Sequence, residues 1–339
     1  METLRSTYRY LILILILSAV GCKPDPIITG TPTPPTPPVI IPDCSHSFTE
    51  AAQDTNSVWD IWGWASSSYY QGYEIKDFSF NPNNPNELVI AVNDTYYEAG
   101  DSGGAYLVLF DLCTGEQTVI NSQESITSVD WGVHDKNIFA TFAYAPVSLA
   151  QINPDGTGLE IIPYHLSQTS SICWLLDSIS FLVEGTFTNG VIHLDINGSE
   201  TDNHVDFPYN PLDMDVMPDG RVAYNDGLSV GIYNMDDGTV EIIEDQVSLD
   251  GYTDVAYSSS DHSMLWTSDS SLFLTDIATG QRTELATGFF NRGYSNVRAA
   301  KNGYIAYIAH VASYDLSTGD DVAKRTELRF INPDGTDER

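Results

Sequence analysis

The stretch Val216-Met217-Pro218-Asp219-Gly220-Arg221-Val222-Ala223-Tyr224 consists of two apolar segments joined by a Pro-Asp-Gly turn. It is followed by Val230-Gly231-Ile232-Tyr233, by the turn Asn234-Met235-Asp236-Asp237-Gly238, and by Val240-Glu241-Ile242-Ile243. Short segments rich in β-branched and aromatic residues, bounded by Asx-Gly turns, are typical of β-strands. These residues therefore predict one unit of four strands joined by short connections.

The closing turn of this unit recurs along the chain. Its glycines are Gly115, Gly156, Gly198, Gly238, Gly280 and Gly335, and successive ones lie 41, 42, 40, 42 and 55 residues apart. Tight turns favour glycine, because glycine adopts positive φ without steric cost. The spacing predicts six repeats of about 40 residues.

A second marker, an apolar strand near the start of each repeat, has the same period. Its six copies are Asp77-Phe78-Ser79-Phe80, Val129-Asp130-Trp131, Ile172-Cys173-Trp174, Met214-Asp215-Val216, Val255-Ala256-Tyr257 and Asn296-Val297-Arg298-Ala299. Four-stranded units of about 40 residues are the signature of β-propeller blades. The sequence therefore predicts an all-β fold, a six-bladed β-propeller of four-stranded blades.

Residues 75–339 resemble the TolB-type and WD-related propellers of the bacterial envelope. In those repeats an apolar strand leads through a Ser-Pro-Asp-Gly turn to a second apolar strand, and Met217-Pro218-Asp219-Gly220 is the closest copy of that turn here. Asn81-Pro82-Asn83 and Ser260-Asp261-His262 are degenerate copies. The α/β domain of TolB has no counterpart in these residues, so the resemblance implies the fold and not TolB's partners.

The last repeat stops shortly after Gly335, before a fourth strand. Ring closure would have to supply that strand, since an open sheet edge invites aggregation. The alternating segment Ser57-Val58-Trp59-Asp60-Ile61-Trp62-Gly63-Trp64 is predicted to be this closing N-terminal strand. The propeller is therefore expected to span residues 57–339.

The N-terminal residues have the pattern of a targeting segment. Arg5 and Arg9 precede the apolar run Leu11–Leu17, which is shorter than the roughly 20 residues that span a bilayer. The residues Leu17-Ser18-Ala19-Val20-Gly21-Cys22 resemble the lipobox of bacterial lipoproteins, with Ala19 where leucine is more common. The resemblance implies a signal peptide over residues 1–21 and lipid, including palmitate, on Cys22.

Residues 22–56 are predicted to be a lipid-anchored tether. Pro32-Thr33-Pro34-Pro35-Thr36-Pro37-Pro38 favours an extended polyproline II spacer. Lys23 replaces the aspartate that retains lipoproteins at the inner membrane, so the resemblance implies a lipid anchor in the cell envelope, at the outer membrane. It leaves open whether the protein faces the periplasm or the outside.

Composition restricts the partners of the chain. With 14 basic and 47 acidic residues among 339, its net charge of −33 would repel nucleic acid and anionic lipid surfaces. After lipidation of Cys22 three cysteines remain, Cys44, Cys113 and Cys173, which lack the spacing of metal ligands. Their disulfide state is left open.

Two repeats have additional residues between their second and third strands, at 93–104 and 310–324. In a propeller these connections emerge on the same face as the links between blades, so both should converge with residues 65–74 where the first and last blades meet. Long loops on a rigid scaffold commonly bind partners, and tyrosine offers contact area at low entropic cost. The predicted site binds a protein or glycan through Tyr69, Tyr70, Tyr96, Tyr97, Glu98, Asp101, Tyr314 and Asp315.

Catalytic motifs do not stand out in the sequence. A Gly-x-Ser-x-Gly elbow is absent, and the seven histidines have no His-x-x-x-His spacing. We therefore favour a non-catalytic scaffold and assign no catalytic residue, metal ligand or cofactor. One alternative is a metal-dependent hydrolase or lyase with a single Ca²⁺ at the mouth of the central channel, since clustered carboxylates suit that ion. Another is a purely structural lipoprotein.

Overall fold

The fold is described from a computed structural model that covers most of the predicted repeats. The described residues are 73–94, 104–123, 126–132, 137–142, 147–166, 172–175, 180–185, 190–195, 199, 207, 211–245, 254–259, 262–268, 271–287, 292–315 and 320–336. The chain divides into two units, Met1–Ile41 and Pro42–Arg339, and all described residues belong to the second.

The described strands form antiparallel sheets, each built from strands that are consecutive in the chain. The first sheet contains β1 (Tyr73–Asn81), β2 (Asn84–Asp94), β3 (Ala105–Asp111) and β4 (Gln117–Gln123). The second contains β5 (Ile126–Trp131), β6 (Ile138–Phe142), β7 (Val147–Ile152) and β8 (Glu160–Leu166). The third contains β9 (Ile172–Trp174), β10 (Ser180–Gly185) and β11 (Gly190–Asp195).

Three further sheets complete the described part of the fold. The fourth contains β12 (Asp213–Val216), β13 (Val222–Asn225), β14 (Ser229–Tyr233) and β15 (Val240–Asp245). The fifth contains β16 (Val255–Ser258), β17 (Ser263–Ser268), β18 (Ser271–Asp276) and β19 (Arg282–Thr287). The sixth contains β20 (Arg292–Ala299), β21 (Ile305–Asp315) and β22 (Asp320–Ile331).

The first strand of each sheet faces the centre of the second unit. β1, β5, β9, β12, β16 and β20 contact one another in that order, and β20 contacts β1. These six inner strands therefore surround a central channel, and the other strands lie outside them. This arrangement confirms the predicted all-β fold, a propeller of four-stranded blades.

The prediction of six complete blades is not confirmed. Within the described residues, four sheets have four strands, whereas the third and the sixth have three. Closure by an N-terminal strand is not supported either, and its segment, residues 57–64, lies outside the described residues. The first and last sheets instead meet by face packing, in which Phe78 of β1 belongs to one apolar cluster with Ile308, Leu328 and Phe330 of the sixth sheet.

The predicted glycine turns are present directly after the third strand of the sheets. Their described glycines all have positive φ, at Gly115, Gly156, Gly238, Gly280 and Gly335. Gly156 is also required for packing, because a Cβ there would lie 2.6 Å from the carbonyl oxygen of Ile120 on β4 of the preceding sheet. The turn of the second sheet is therefore seated directly on the outer strand of the first.

The fourth strand of each complete sheet pairs with the third through a register irregularity. On β4, β15 and β19 one additional residue is inserted, and these residues are Ile120, Ile243 and Leu285. Ile120 and Leu285 are buried, whereas their neighbours Val119 and Glu284 are exposed. A bulge increases strand twist, and here it accompanies an apolar residue that the outer strand contributes to the core.

No helix in the part of the chain that the structure describes is long and apolar enough to cross a membrane.

Candidate functional site

The predicted binding residues fall mostly outside the described part of the chain. Tyr69, Tyr70, Tyr96, Tyr97, Glu98 and Asp101 lie there, so their convergence is untested. Tyr314 and Asp315 lie at the end of β21, where they pair in register with Asp321 and Asp320 of β22. Of the additional residues of the sixth repeat, 310–315 and 320–324 therefore extend two paired strands, where a loop was expected.

The start of the first predicted insertion is fixed to the neighbouring sheet. The side-chain amide of Asn93, at the end of β2, donates to the carbonyl oxygen of Ile126 at 2.9 Å. The backbone N–H of Ile126 donates in return to Asn93 Oδ1 at 3.1 Å. This reciprocal pair anchors the base of the connection between β2 and β3.

Polar side chains lie around the central channel in two tiers, which are two residues apart on β1, β5, β12 and β20. The first tier consists of Asp77, Ser128, Asp213 and Asn296, together with Asp254, which directly precedes β16. The second tier consists of Ser79, Asp130, Cys173, Asp215 and Arg298. Residues i and i+2 of a strand lie on the same side, so both tiers interrupt strands that are otherwise apolar.

Side chains of the first sheet connect it to the second. Asp77 Oδ2 accepts hydrogen bonds from the backbone N–H of Val129 and from the hydroxyl of Ser128, both at 2.8 Å. Ser79 Oγ accepts from the backbone N–H of Trp131 and donates to Asp130 Oδ1, both at 3.0 Å. Both tiers of β1 therefore bond to β5.

The same device connects the fourth sheet to the fifth. Asp213 Oδ2 accepts from the backbone N–H of Val255 at 3.0 Å. Asp215 Oδ2 accepts from the backbone N–H of Tyr257 at 2.7 Å. The two carboxylates thus occupy backbone donors of the neighbouring inner strand, which is the role that Asp77 and Ser79 have between the first two sheets.

Asn296 connects three sheets at once. Its backbone N–H is hydrogen-bonded to the Asp254 carboxyl of the fifth sheet, and its side-chain amide donates to Asp77 Oδ1 of the first sheet at 2.8 Å. Its φ of 51° lies in the left-handed region, which asparagine tolerates better than most residues. The pairing of β20 with β21 shifts register here, between Ser295 and Arg298.

Arg298 supplies the positive charge of the channel. Its guanidinium lies 3.3 Å from Asp213 Oδ2 and 3.7 Å from Asp77 Oδ1. The side chains of Asp77 and Asp213 are only 2% and 6% exposed, and that of Arg298 is 16% exposed. Arg298 therefore joins the sixth sheet to the first and the fourth through largely buried ion pairs.

The channel carboxyls differ in how readily they ionise. Burial raises the pKa of Asp77, although Arg298 and hydrogen bonds from Val129 and Ser128 oppose the shift. Burial also raises the pKa of Asp215 to about 6. Burial, with the neighbouring Asp213 charge, raises the pKa of Asp254 to about 7.

Arg298 and Cys173 respond to the charges of these and the neighbouring carboxylates. Burial on its own would lower the pKa of Arg298, but Asp213, Asp77 and Asp215 raise it overall, so the guanidinium stays charged. Burial, with the charges of Asp215 and Asp130, raises the pKa of the Cys173 thiol well above its ordinary value. Cys173 is therefore a buried, protonated thiol.

This arrangement is well suited to holding the sheets together. Among the described residues, no group of three or more His, Cys, Asp or Glu side chains could hold a metal ion. Arg298 occupies the position between Asp77 and Asp213 where a cation would otherwise balance the two charges. In the sequence, Asp77, Asp130, Asp215 and Arg298 stand out only as parts of the strand markers, although the recurrence of polar residues at i and i+2 is a usable signal.

The fold and the central channel of this chain are those of a β-propeller. One similar solved structure is TolB from Acinetobacter baumannii, at 16% identity and a TM-score of 0.50, with 81% of this chain and 63% of that chain covered. Another is a protein of unknown function from Bacteroides thetaiotaomicron, at 9% identity and a TM-score of 0.50, with 78% of this chain and 72% of that chain covered.

The present chain therefore spans somewhat less than two thirds of TolB. At these identities the likeness shows the fold alone. No protein-family model matches the chain, and no curated protein sequence matches it.

Proposed function

We propose that this chain is a non-catalytic propeller scaffold of the cell envelope, which binds a protein or glycan through the face where the first and sixth sheets meet. The observation that carries the proposal is that the polar side chains of the central channel form bonds between sheets. Asp77, Asp213, Asp215 and Arg298 are engaged in bonds between sheets, so their polar groups serve the ring itself. A partner would then be recognised by the connections at the rim.

The topology favours one face for that role. In an antiparallel meander, connections between second and third strands leave on the same face as links between successive sheets. The predicted insertion after Asn93 and the connection between β21 and β22 both belong to this face. The sixth and first sheets are neighbours in the ring, so residues of both could contact one partner.

Anchoring by lipid on Cys22, with export and an outer-membrane location, is part of the same proposal. Cys113, in the turn between β3 and β4, is disulfide-bonded. Disulfides persist in oxidising compartments such as the bacterial periplasm or the cell surface. This bond favours a location outside the cytoplasm.

The binding site can be tested with a triple variant, Tyr96→Ala, Tyr97→Ala and Tyr314→Ala. We expect it to lose the partner captured by the wild-type propeller from an envelope extract, while its melting temperature stays nearly unchanged. Leu228→Ala is the matched control, because Leu228 is 39% exposed in the connection between β13 and β14, on the same face of the fourth sheet. Equal capture by wild type and triple variant would contradict the site, as would unfolding of the triple variant.

The anchor has a separate test. Cys22→Ser should remove palmitate labelling and shift the protein from the membrane fraction to the soluble fraction. Cys173→Ser is the control, since Cys173 is free and buried. Membrane association that persists in Cys22→Ser would overturn the lipid anchor but leave the binding site untouched.

A further inference from the structure

Three ionisable side chains lie near one another where the fourth, fifth and sixth sheets face the channel. Asp213 of β12 forms the closer of the two ion pairs with Arg298 of β20, at 3.3 Å. Asp213 also accepts the backbone N–H of Val255 at 3.0 Å. Asp254, the residue before Val255, interacts electrostatically with both Asp213 and Arg298.

Asp254 is held in this position by bonds to its own backbone. Its backbone N–H donates to Thr267 Oγ1 at 2.9 Å, and its carbonyl oxygen accepts from the side-chain amide of Asn225 at 3.4 Å. Its carboxyl accepts the backbone N–H of Asn296. The carboxyl therefore has little freedom to move away from Asp213 when its charge changes.

We propose that Asp213, Asp254 and Arg298 form a proton-dependent latch, which holds the fourth, fifth and sixth sheets together most strongly when Asp254 is protonated. With Asp254 neutral, the negative charge of Asp213 is balanced by Arg298. When Asp254 ionises, it adds a further negative charge to the carboxylates that already face Arg298, in a site that is largely closed to water. Like charges that are only partly compensated weaken the junction.

The latch is surrounded by further acidic groups, and ionisation of any of them adds negative charge near Arg298. The groups that face it from the surrounding inner strands are Asp77 of β1, Asp130 of β5, Cys173 of β9 and Asp215 of β12. Arg298 is the cation that interacts with all of them. Each further ionisation in this set therefore increases the uncompensated negative charge.

The direction of the pH effect follows from linkage. The folded-state pKa values of Asp254 and Asp215 are raised above the ordinary value of 3.8, to about 7 and about 6. Between pH 3.8 and these raised values the folded protein therefore binds more protons than the unfolded chain. Its stability falls as the pH rises through that window. Between about pH 5 and about pH 8 the unfolding equilibrium constant should rise up to about 100-fold through Asp254 and up to about tenfold through Asp215.

The test compares the pH dependence of unfolding in the wild type and in Asp254→Asn. The amide keeps the shape of the carboxyl but cannot ionise, so we expect the dependence over this window to shrink to about the tenfold share of Asp215. Asp236→Asn is the matched control, because Asp236 lies in an exposed turn of the fourth sheet. It should retain the full wild-type dependence.

Asp215→Asn provides a second, independent measurement. This substitution should remove the smaller, Asp215-dependent part of the pH dependence of unfolding and leave the part that is due to Asp254. The measurement therefore remains decisive even if Asp254→Asn does not fold. A wild-type stability that is flat or rises over this window would overturn the latch. So would an Asp254→Asn protein with unchanged pH dependence, or a loss of the entire dependence in Asp215→Asn.

Discussion

Replacement of Arg298 by methionine tests whether the channel charges hold the ring together. Methionine preserves much of the length of the side chain but removes the guanidinium that faces Asp213 and Asp77. Both carboxylates are at most 6% exposed, so water cannot take over the compensation. Breaking a buried ion pair by removing one partner typically costs about 3–5 kcal/mol, and this is the loss of unfolding free energy that we expect at about pH 8.

The loss should be smaller at about pH 5, because the stranded Asp77 carboxyl, whose pKa is raised by burial, then takes up a proton more readily. Urea unfolding followed by tryptophan fluorescence can measure it, since Trp131 and Trp266 are 4% and 3% exposed. Arg221→Met is the control, because Arg221 pairs with Asp219 at the surface and its side chain is 34% exposed. That substitution should cost less than about 1 kcal/mol.

A double variant distinguishes charge from packing. In Arg298→Met with Asp213→Asn, the stranded carboxylate at Asp213 is replaced by a neutral amide, so part of the lost stability should return. Equal losses at both pH values would refute the electrostatic account. A double variant that is as unstable as the sum of its single variants would refute it as well.

The remaining predictions concern a turn and the cysteines. Gly156→Ala should lower the midpoint of urea unfolding far more than Gly280→Ala. Both glycines have positive φ, which costs alanine about 1–2 kcal/mol. Of the two, only Gly156 would bring its new Cβ against a backbone atom, 2.6 Å away. Similar losses would show that the seat of this turn on β4 is unimportant. Cys173, which is 2% exposed and has a raised pKa, should resist iodoacetamide in the folded protein and react after unfolding; labelling of the folded protein would contradict its burial. Because Cys173 is free and lipid would occupy Cys22, a non-reducing peptide map should show Cys113 linked to Cys44; alkylation of Cys113 without reductant would exclude that bond.

The propeller could be predicted from the sequence because its evidence is local. Each glycine turn and each inner strand is encoded within a few residues, and their common period leaves little freedom for another fold. How the ring closes is not local. It depends on Phe78 and Phe330, which lie near opposite ends of the described chain and belong to one apolar cluster, and neither residue differs in kind from other core residues. Closure by an N-terminal strand at residues 57–64 is therefore not supported, and the described contact between the first and sixth sheets is face packing.

The channel was missed for a related reason. Asp77 and Ser79 carry a signal in the sequence, since two polar residues at i and i+2 interrupt an apolar strand. Their partners cannot be read in the same way, because the hydrogen bond between Arg298 and Asp213 joins residues 85 positions apart. The predicted insertions, by contrast, were found from repeat length, which reports where residues were added and not whether they form loops or, as at Tyr314, longer strands.

The position of Arg298 depends on the irregularity that precedes it. A shift of one residue in register turns all following side chains to the other face of a strand, and the register of β20 shifts between Ser295 and Arg298. As a result Val297 is fully buried in the apolar cluster with the fifth sheet, while Arg298 faces the channel. The left-handed backbone of Asn296 makes this shift, and the same residue bonds to Asp254 and Asp77. The left-handed backbone of Asn296 and the channel arginine are therefore linked, because the register shift that places Arg298 at the channel occurs at Asn296.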